Sequence, residues 1–349
     1  MLIGVRADLW GATMTLYSRV GLLCLLGAAG VLPAGAQSAI ERQSLALNRA
    51  SDAVVGLQAR AVEDARTLTT LGRDRQGSGV VIGEDGLVLT IGYLILEAET
   101  VDLVTGDERP IPARVVAYDV ASGFGLVQAL APLRLAPVPL GDAASLDAAE
   151  PLTVASGGSD GSVGAGRLVS RRAFSAFWEY HLDNALFVSP QHDAHGGAGL
   201  FNGRGELVGI GSLRVTDALG GDAPREPATM FVPIDLLKPI LGELRERGRS
   251  RQSERAWIGL NCIEQGGMVR VVRVSEDSPA DVAGLQPGDQ IVRIDGTRVG
   301  RLEQLWKTLW AGASAERAVS LEIQREGELQ TLTVQTVDRA KTLRRAQGI

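Results

Sequence analysis

From about Ser51 to Met230 the apolar residues come in short runs cut by Gly, Asp and Pro: Gly79-Val80-Val81-Ile82, Leu87-Val88-Leu89, Thr100–Val104, Arg114-Val115-Val116, Gly125-Leu126-Val127, Leu152-Thr153-Val154, Arg167-Leu168-Val169, Leu186-Phe187-Val188 and Leu207-Val208-Gly209-Ile210. Runs this short, with turn signals between them, predict many strands in a sandwich or barrel. Glu84-Asp85-Gly86 is a hairpin signal in its own right. Helical patterning shows in few places. Residues 38–50 favour a short helix, and Leu236–Arg247 reads as another with Asp235 as N-cap. Leu302, Leu305, Trp306, Leu309 and Trp310 fall at i, i+3, i+4, i+7 and i+8, an amphipathic helix face.

The stretch Glu243–Arg255 is dense in Arg, Glu and Ser and carries Gly248, which predicts a linker at 248–255 between two domains. The segment after it, 256–337, carries a strand at Val269–Val274, a helix start at Ser278-Pro279-Ala280, turns at Pro287-Gly288-Asp289 and Asp295-Gly296, and closing strands at Val319–Gln324 and Leu329–Val337. The tail, 338–349, is basic and predicted to fray.

Composition sharpens this picture. Hydrophobic residues are 45% of the 349, enough for a sizeable core, while aromatics are 4% and Gly contributes 43 residues. That mix suits tight turns and strands over a helical bundle. A net charge of −6 argues against nucleic acid as a partner, because phosphate binding needs a basic face.

At the N-terminus, Arg6 and Arg19 precede an apolar run, Val20–Leu32, and then Ala34-Gly35-Ala36. This is the layout of a secretory signal peptide over 1–36, cut near Ala36–Gln37. Met14–Ala36 alone has the same layout, so Met14 is a second candidate start. An uncleaved anchor is the alternative, against which the apolar run is shorter than the ~20 residues a bilayer needs. Removal of the signal leaves Cys262 as the one cysteine, which excludes an intramolecular disulfide and suits a buried thiol.

The C-terminal segment resembles a bacterial PDZ domain. Ser278-Pro279-Ala280, Ala283-Gly284-Leu285, Pro287-Gly288-Asp289 and Ile294-Asp295-Gly296 stand in that domain's order and spacing, and Trp257-Ile258-Gly259-Leu260 resembles its carboxylate-binding loop. The resemblance implies a loop whose backbone N–H groups converge on a peptide's C-terminal carboxylate, with the peptide added as a strand along Asn261-Cys262-Ile263. The 302–312 helix, through Leu305 and Leu309, would form one wall. The competing reading is a closed groove with Trp257 and Ile258 as core.

The region from Ser51 to Arg247 resembles the trypsin-like domain of HtrA/Deg proteases. Gly77-Ser78-Gly79-Val80-Val81-Ile82 with Asp85-Gly86-Leu87-Val88-Leu89-Thr90 resembles the family's opening hairpin, and Gly166–Ser170, Gly205–Ile210 and Phe231–Ile234 resemble later strands. The implied fold is mainly β: a trypsin-like double β-barrel followed by an α+β PDZ domain.

Such chemistry needs a Ser to attack, a His to take its proton and an Asp to fix the His tautomer. The family's His position falls on Tyr93 in Thr90-Ile91-Gly92-Tyr93-Leu94. Its Asp position falls on Gly123, with Asp102, Asp107 and Asp119 nearby, and its Ser position falls on Gly196 in Ala194-His195-Gly196-Gly197-Ala198. A register shift of one puts His195 there instead, still with no hydroxyl. The chain has three histidines, His181, His192 and His195, and none lies in the first barrel, which should supply the base. A phenol is a poor base at neutral pH. The expectation is a pseudoprotease, not an enzyme.

The rival expectations are a serine-type endopeptidase with a site rearranged around Ser189 or His195, and metal binding by His192-Asp193-Ala194-His195 with His181 upstream, where two imidazoles and a carboxylate are acceptable zinc or copper ligands. The generic spacing of those histidines favours a solvated loop. Ser156–Ser162 is glycine-rich but lacks the Lys-Ser/Thr and helix of a phosphate loop, and reads as a barrel loop. No cofactor is expected. The resemblance implies a periplasmic scaffold or regulator in protein quality control, binding peptides or protein C-termini. Its partners would be exported clients or an active protease, without membrane integration once the signal is cut, and with a homotrimer through the barrels.

Overall fold

In a computed structural model, residues 34–221, 223–312 and 314–344 are described, so the predicted signal peptide falls outside them up to residue 33. The chain divides into two units, Met1–Ile40 and Glu41–Ile349. Helix α1, Ala34–Asp52, takes in the predicted 38–50 segment and runs longer at both ends. Among the described residues no helix is long and apolar enough to cross a membrane.

Within the second unit the short apolar runs form strands as expected. β1 (Val54–Ala61), β2 (Asp74–Val81), β3 (Leu87–Ile91), β4 (Ala98–Val104), β5 (Pro110–Tyr118) and β6 (Phe124–Ala129) close into one antiparallel barrel in the order β1-β2-β3-β6-β5-β4, with the short α2 (Leu68–Leu71) between β1 and β2. β7 (Leu152–Ala155), β8 (Val163–Ser175), β9 (His181–Ser189), β10 (Gly199–Phe201), β11 (Leu207–Val215) and β12 (Ala228–Pro233) close a second, in the order β10-β11-β12-β9-β8-β7. Closure leaves no unpaired edge within either barrel. One continuous core joins them, with Phe124, Phe187, Phe201 and Phe231 fully buried.

The glycine-rich loop after β7 helps to seat one barrel on the other. A Cβ at Gly157 would lie 2.3 Å from the Val55 carbonyl carbon, so only glycine permits this approach. The Gly157 N–H donates to Ser78 Oγ at 3.0 Å, while Ser156 and Ser162 bond to each other. The loop is a barrel joint, as its sequence suggested.

Two expectations about the connection are corrected. The helix predicted over Leu236–Arg247 begins instead at Leu241, as α3 (Leu241–Arg247). Pro239 disfavours helical geometry at Lys238, and Ile234–Leu236 forms a separate 3-10 turn. Asp235 caps no helix there; its carboxylate accepts from Ala144 N–H and binds Lys238.

The charged linker is also not loose. Ser250 and Ser253 are buried, the Ser250 hydroxyl donates to Asp119 at 3.2 Å, and Ser253 Oγ accepts from Val120 N–H at 2.7 Å. Its serines clamp it to the first barrel.

β13 (Ala256–Trp257) pairs with β20 (Val337–Asp338). β14 (Leu260–Gln265), β15 (Met268–Val274), β16 (Gln290–Ile294), β18 (Ala318–Arg325) and β19 (Glu328–Gln335) form a sheet, with β17 (Thr297–Arg298) beside β16. Helix α4 (Pro279–Val282) starts at the predicted cap, where Ser278 Oγ accepts from Asp281 N–H, and α5 (Leu302–Trp310) buries Leu302, Leu305, Trp306 and Leu309. The tail does not fray through its described length: Arg344 N–H donates to Glu97 at 2.8 Å, joining the end of the chain to the first barrel.

Candidate functional site

Two places could carry chemistry: the junction of the barrels and the loop at Trp257–Leu260.

At the junction, β3 ends in a 3-10 turn, Gly92–Leu94, that presents Tyr93. The Tyr93 hydroxyl donates to the Ser212 carbonyl of the second barrel at 3.1 Å. Burial pushes the phenol up to about 12. A Cβ at Gly196 would lie 2.6 Å from that hydroxyl oxygen, closer than unbonded atoms approach, so Tyr93 fills the space a side chain at 196 would need. The Gly196 carbonyl accepts from Ser78 N–H at 2.8 Å, and the Gly197 and Ala198 N–H groups are taken by Gly211 and His195 carbonyls.

Gly123 joins the same junction, its carbonyl accepting from Gly92 N–H at 2.7 Å. A Cβ there would lie 3.2 Å from the Tyr180 hydroxyl and 3.4 Å from its ring, and Gly123 has φ of 83°. Tyr180 is buried, and its hydroxyl donates to the Ser122 carbonyl at 2.6 Å. Tyr93, Gly123 and Gly196 are thus brought together, with tyrosine rings against both glycines. Asp119 is buried in bonds to Ser122 and Ser250, which commits it to structure.

The predicted histidine site is not assembled. Among the described residues the grouping of three potential ligands is His181, Asp183 and Glu303, and it includes neither His192 nor His195. Lys307 Nζ lies 2.6 Å from Asp183 and 2.8 Å from Glu303, so an ammonium already neutralises those carboxylates. His195 Nδ1 lies 3.0 Å from the Asp193 carbonyl, and the His192 ring packs against Gly164. His181 lies on β9, whereas His192 and His195 lie in the turn before Gly196.

At the second place, Gly259 has φ of 89°, which turns three successive N–H groups toward one point. That point is occupied by Glu179, from the tip of the β8–β9 hairpin. Its carboxylate accepts from Ile258 N–H at 3.2 Å, Gly259 N–H at 2.7 Å and Leu260 N–H at 3.0 Å.

Burial of the carboxylate pushes Glu179 up to about 7, against the pull of those three donors and of the Arg339 charge. Beyond the cradle, Trp178 stands opposite Asn261 in an antiparallel bridge, and Cys262 N–H donates to the Phe177 carbonyl at 2.6 Å. The indole N–H of Trp306 donates to the Ala176 carbonyl at 3.1 Å.

Trp257, Ile258, Gly259, Leu260, Asn261 and Cys262 therefore stand around this occupant. Trp257 is 8% exposed beneath the Arg339 guanidinium, and Ile258 belongs to the core. Ile263 is partly exposed beyond the paired stretch. Leu305 and Leu309 are core residues, and Trp306 is the residue through which α5 bonds the occupant. Cys262 is fully buried, and burial raises its thiol far above the ordinary range.

Glu179 and Trp306 were not among the predicted site residues. A signal existed: the chain has 6 Phe, 5 Trp and 4 Tyr, and four of these fall between Phe174 and Tyr180.

Two antiparallel six-stranded barrels joined by one core, followed by a sheet capped by a carboxylate-binding loop, define a trypsin-like domain joined to a PDZ domain. A trypsin-like peptidase domain profile matches residues 77–210, and a PDZ domain profile matches residues 256–336. A probable periplasmic serine endoprotease DegP-like of Pseudomonas putida is 30% identical over 281 residues, covering 74% of this chain and 55% of that one. Its counterpart in Hahella chejuensis is 27% identical over 275 residues, covering 74% and 56%. The chain spans about half the length of the curated relatives it matches.

Among solved structures, the HtrA-type protease AlgW with decapeptide aligns with a TM-score of 0.53 at 17% identity, covering 85% of this chain and 98% of that one. The serine endoprotease from Yersinia pestis aligns at 0.50 and 20%, covering 85% and 97%. The chain belongs to the HtrA type, a trypsin-like peptidase domain followed by a PDZ domain.

Proposed function

We propose that this chain is a non-catalytic HtrA-type protein of the periplasm that binds protein or peptide C-termini through its PDZ domain, as a scaffold or regulator of exported proteins. The observation that carries the reading is the contact between Tyr93 and Gly196. A nucleophile attached at 196 would collide with a phenol that is too weakly acidic and too enclosed to serve as its base. No histidine lies in the first barrel, so nothing there replaces that base. The periplasmic setting is supported by the names of the relatives, and the C-terminal carboxylate as ligand by the convergence of the Ile258, Gly259 and Leu260 N–H groups. The HtrA-type protease AlgW, solved with a decapeptide, supports a peptide as ligand.

A serine-reactive fluorophosphonate probe tests the first half: the purified chain stays unlabelled, and specific labelling restores the endopeptidase reading. A pull-down from the envelope fraction tests the second. Gly259→Glu removes the left-handed turn and drives a side chain into Ser278, whose Cβ is 2.3 Å from the position of a Cβ at 259. Partners read by the PDZ domain are lost in that variant, and an unchanged set would refute the reading.

A further inference from the structure

The hairpin tip 176–180 has the form of a ligand. The Leu260 and Cys262 N–H groups lie two residues apart on β14, so both point to the same open edge. The first bonds the Glu179 carboxylate and the second the Phe177 carbonyl, with Trp178 opposite Asn261 between them. The tip therefore runs antiparallel to β14, with its acidic group at the loop and its main chain continuing the sheet. This is how a free C-terminus adds to such an edge. The tip is held in shape by Ala176 N–H donating to the Tyr180 carbonyl at 2.9 Å, and by Trp178 stacked on Tyr180. Phe177 and Trp178 stay 51% and 36% exposed, while Ala176 and Tyr180 are buried in the barrel core, so 177–179 is the part that lies on the surface of the groove and can leave without opening the core.

We propose that residues 177–179 are a built-in competing ligand of the PDZ groove, in which the Glu179 side chain stands in for a C-terminal carboxylate, and that an external apolar C-terminus binds only by displacing it. This rests on the peptide-binding reading above. Tyr180 follows Glu179 directly and stays anchored against Gly123, which marks the end of the part that can leave.

The test uses the full chain and a pool of fluorescent ten-residue peptides with free apolar C-terminal residues, beside the same pool amidated. Apparent affinity falls by the fraction of molecules with an open groove, so Glu179→Ala binds the free-carboxylate pool about tenfold or more tighter than wild type. The amidated pool binds neither. Equal affinity of wild type and Glu179→Ala overturns the competing ligand while leaving the peptide reader standing. No binding by either protein, nor by a Phe177→Gly/Trp178→Gly/Glu179→Gly variant, overturns the peptide reader and makes the contact a fixed joint.

Hydrogen exchange gives a second measurement that does not depend on peptide. The amides of Ile258, Gly259, Leu260 and Cys262 are protected in the peptide-free wild type and lose protection in Glu179→Ala. Unchanged protection in Glu179→Ala overturns the proposal.

Discussion

The junction of the barrels and the groove of the PDZ domain are both filled from within the chain, and the fillers differ in kind. At the junction they are the side chains of Tyr93 and Tyr180, enclosed by the protein and anchored to the Ser212 and Ser122 carbonyls. In the groove the filler is a hairpin tip with exposed aromatics, held mainly by hydrogen bonds to one carboxylate and two carbonyls. A buried ring cannot leave without a cavity, and a cavity costs energy in proportion to its volume. A surface strand can leave when an equivalent strand replaces it. On the readings proposed above, the first filler is permanent and the second conditional.

The largest effect expected from this contrast is at Tyr180. Tyr180→Ala empties the junction beside Gly123 and destabilises the chain by about 3–5 kcal/mol, read from the urea midpoint. The three-residue glycine variant of the tip costs far less, because its aromatics are exposed. Similar losses for the two would erase the distinction between a permanent and a conditional filler.

Gly196→Ser is expected to destabilise by about 1–3 kcal/mol through overpacking against the Tyr93 hydroxyl. Tyr93→Phe removes that oxygen, so the double variant recovers part of the loss. A double-mutant cycle with no coupling would mean that the two positions do not compete for space.

How much of this was legible in the sequence follows from what each feature depends on. The strands came through because alternating burial writes short apolar runs, and both barrels are made of them. The PDZ loop came through because Gly259 and its neighbours form a local backbone device. Tyr93, Gly123 and Gly196 were found by position, yet their mutual fit depends on a fold that brings residues far apart in sequence together. Glu179 was not found, because nothing local marks a carboxylate that will bond amides 79 to 81 residues away. The linker misled for a related reason: Ser250 and Ser253 read as solvated until Asp119 and Val120 are placed against them. Pro239 could have corrected the helix start from sequence alone.

Acidity gives a smaller test of the groove. The docked Glu179 carboxylate sits at about 7 against an ordinary 4.5, so docking holds a proton that the released side chain gives up. Its contribution is fully present below 4.5 and is lost as pH rises through 7. Burial keeps the neighbouring Cys262 thiol protonated through this window. A peptide's α-carboxylate, with a pKa of about 3.3–3.7, is ionised throughout. Affinity for free C-termini is therefore expected to rise severalfold from pH 5 to pH 8 in wild type, and to stay flat in Glu179→Gln. A rise of the same size in Glu179→Gln would place the titration elsewhere.

The smallest effect lies at Arg339, whose guanidinium rests 4.6 Å from the centre of the Trp257 ring at the edge of the cradle. At a partly exposed site such a contact is worth about 0.5–1 kcal/mol. Arg339→Ala should lower stability by no more than that. It also removes the positive charge that favours ionised Glu179, and so moves the midpoint of the pH dependence upward. A midpoint that stays put would show that Arg339 acts on Trp257 alone, and that the cradle's three N–H groups hold the carboxylate without help from the tail.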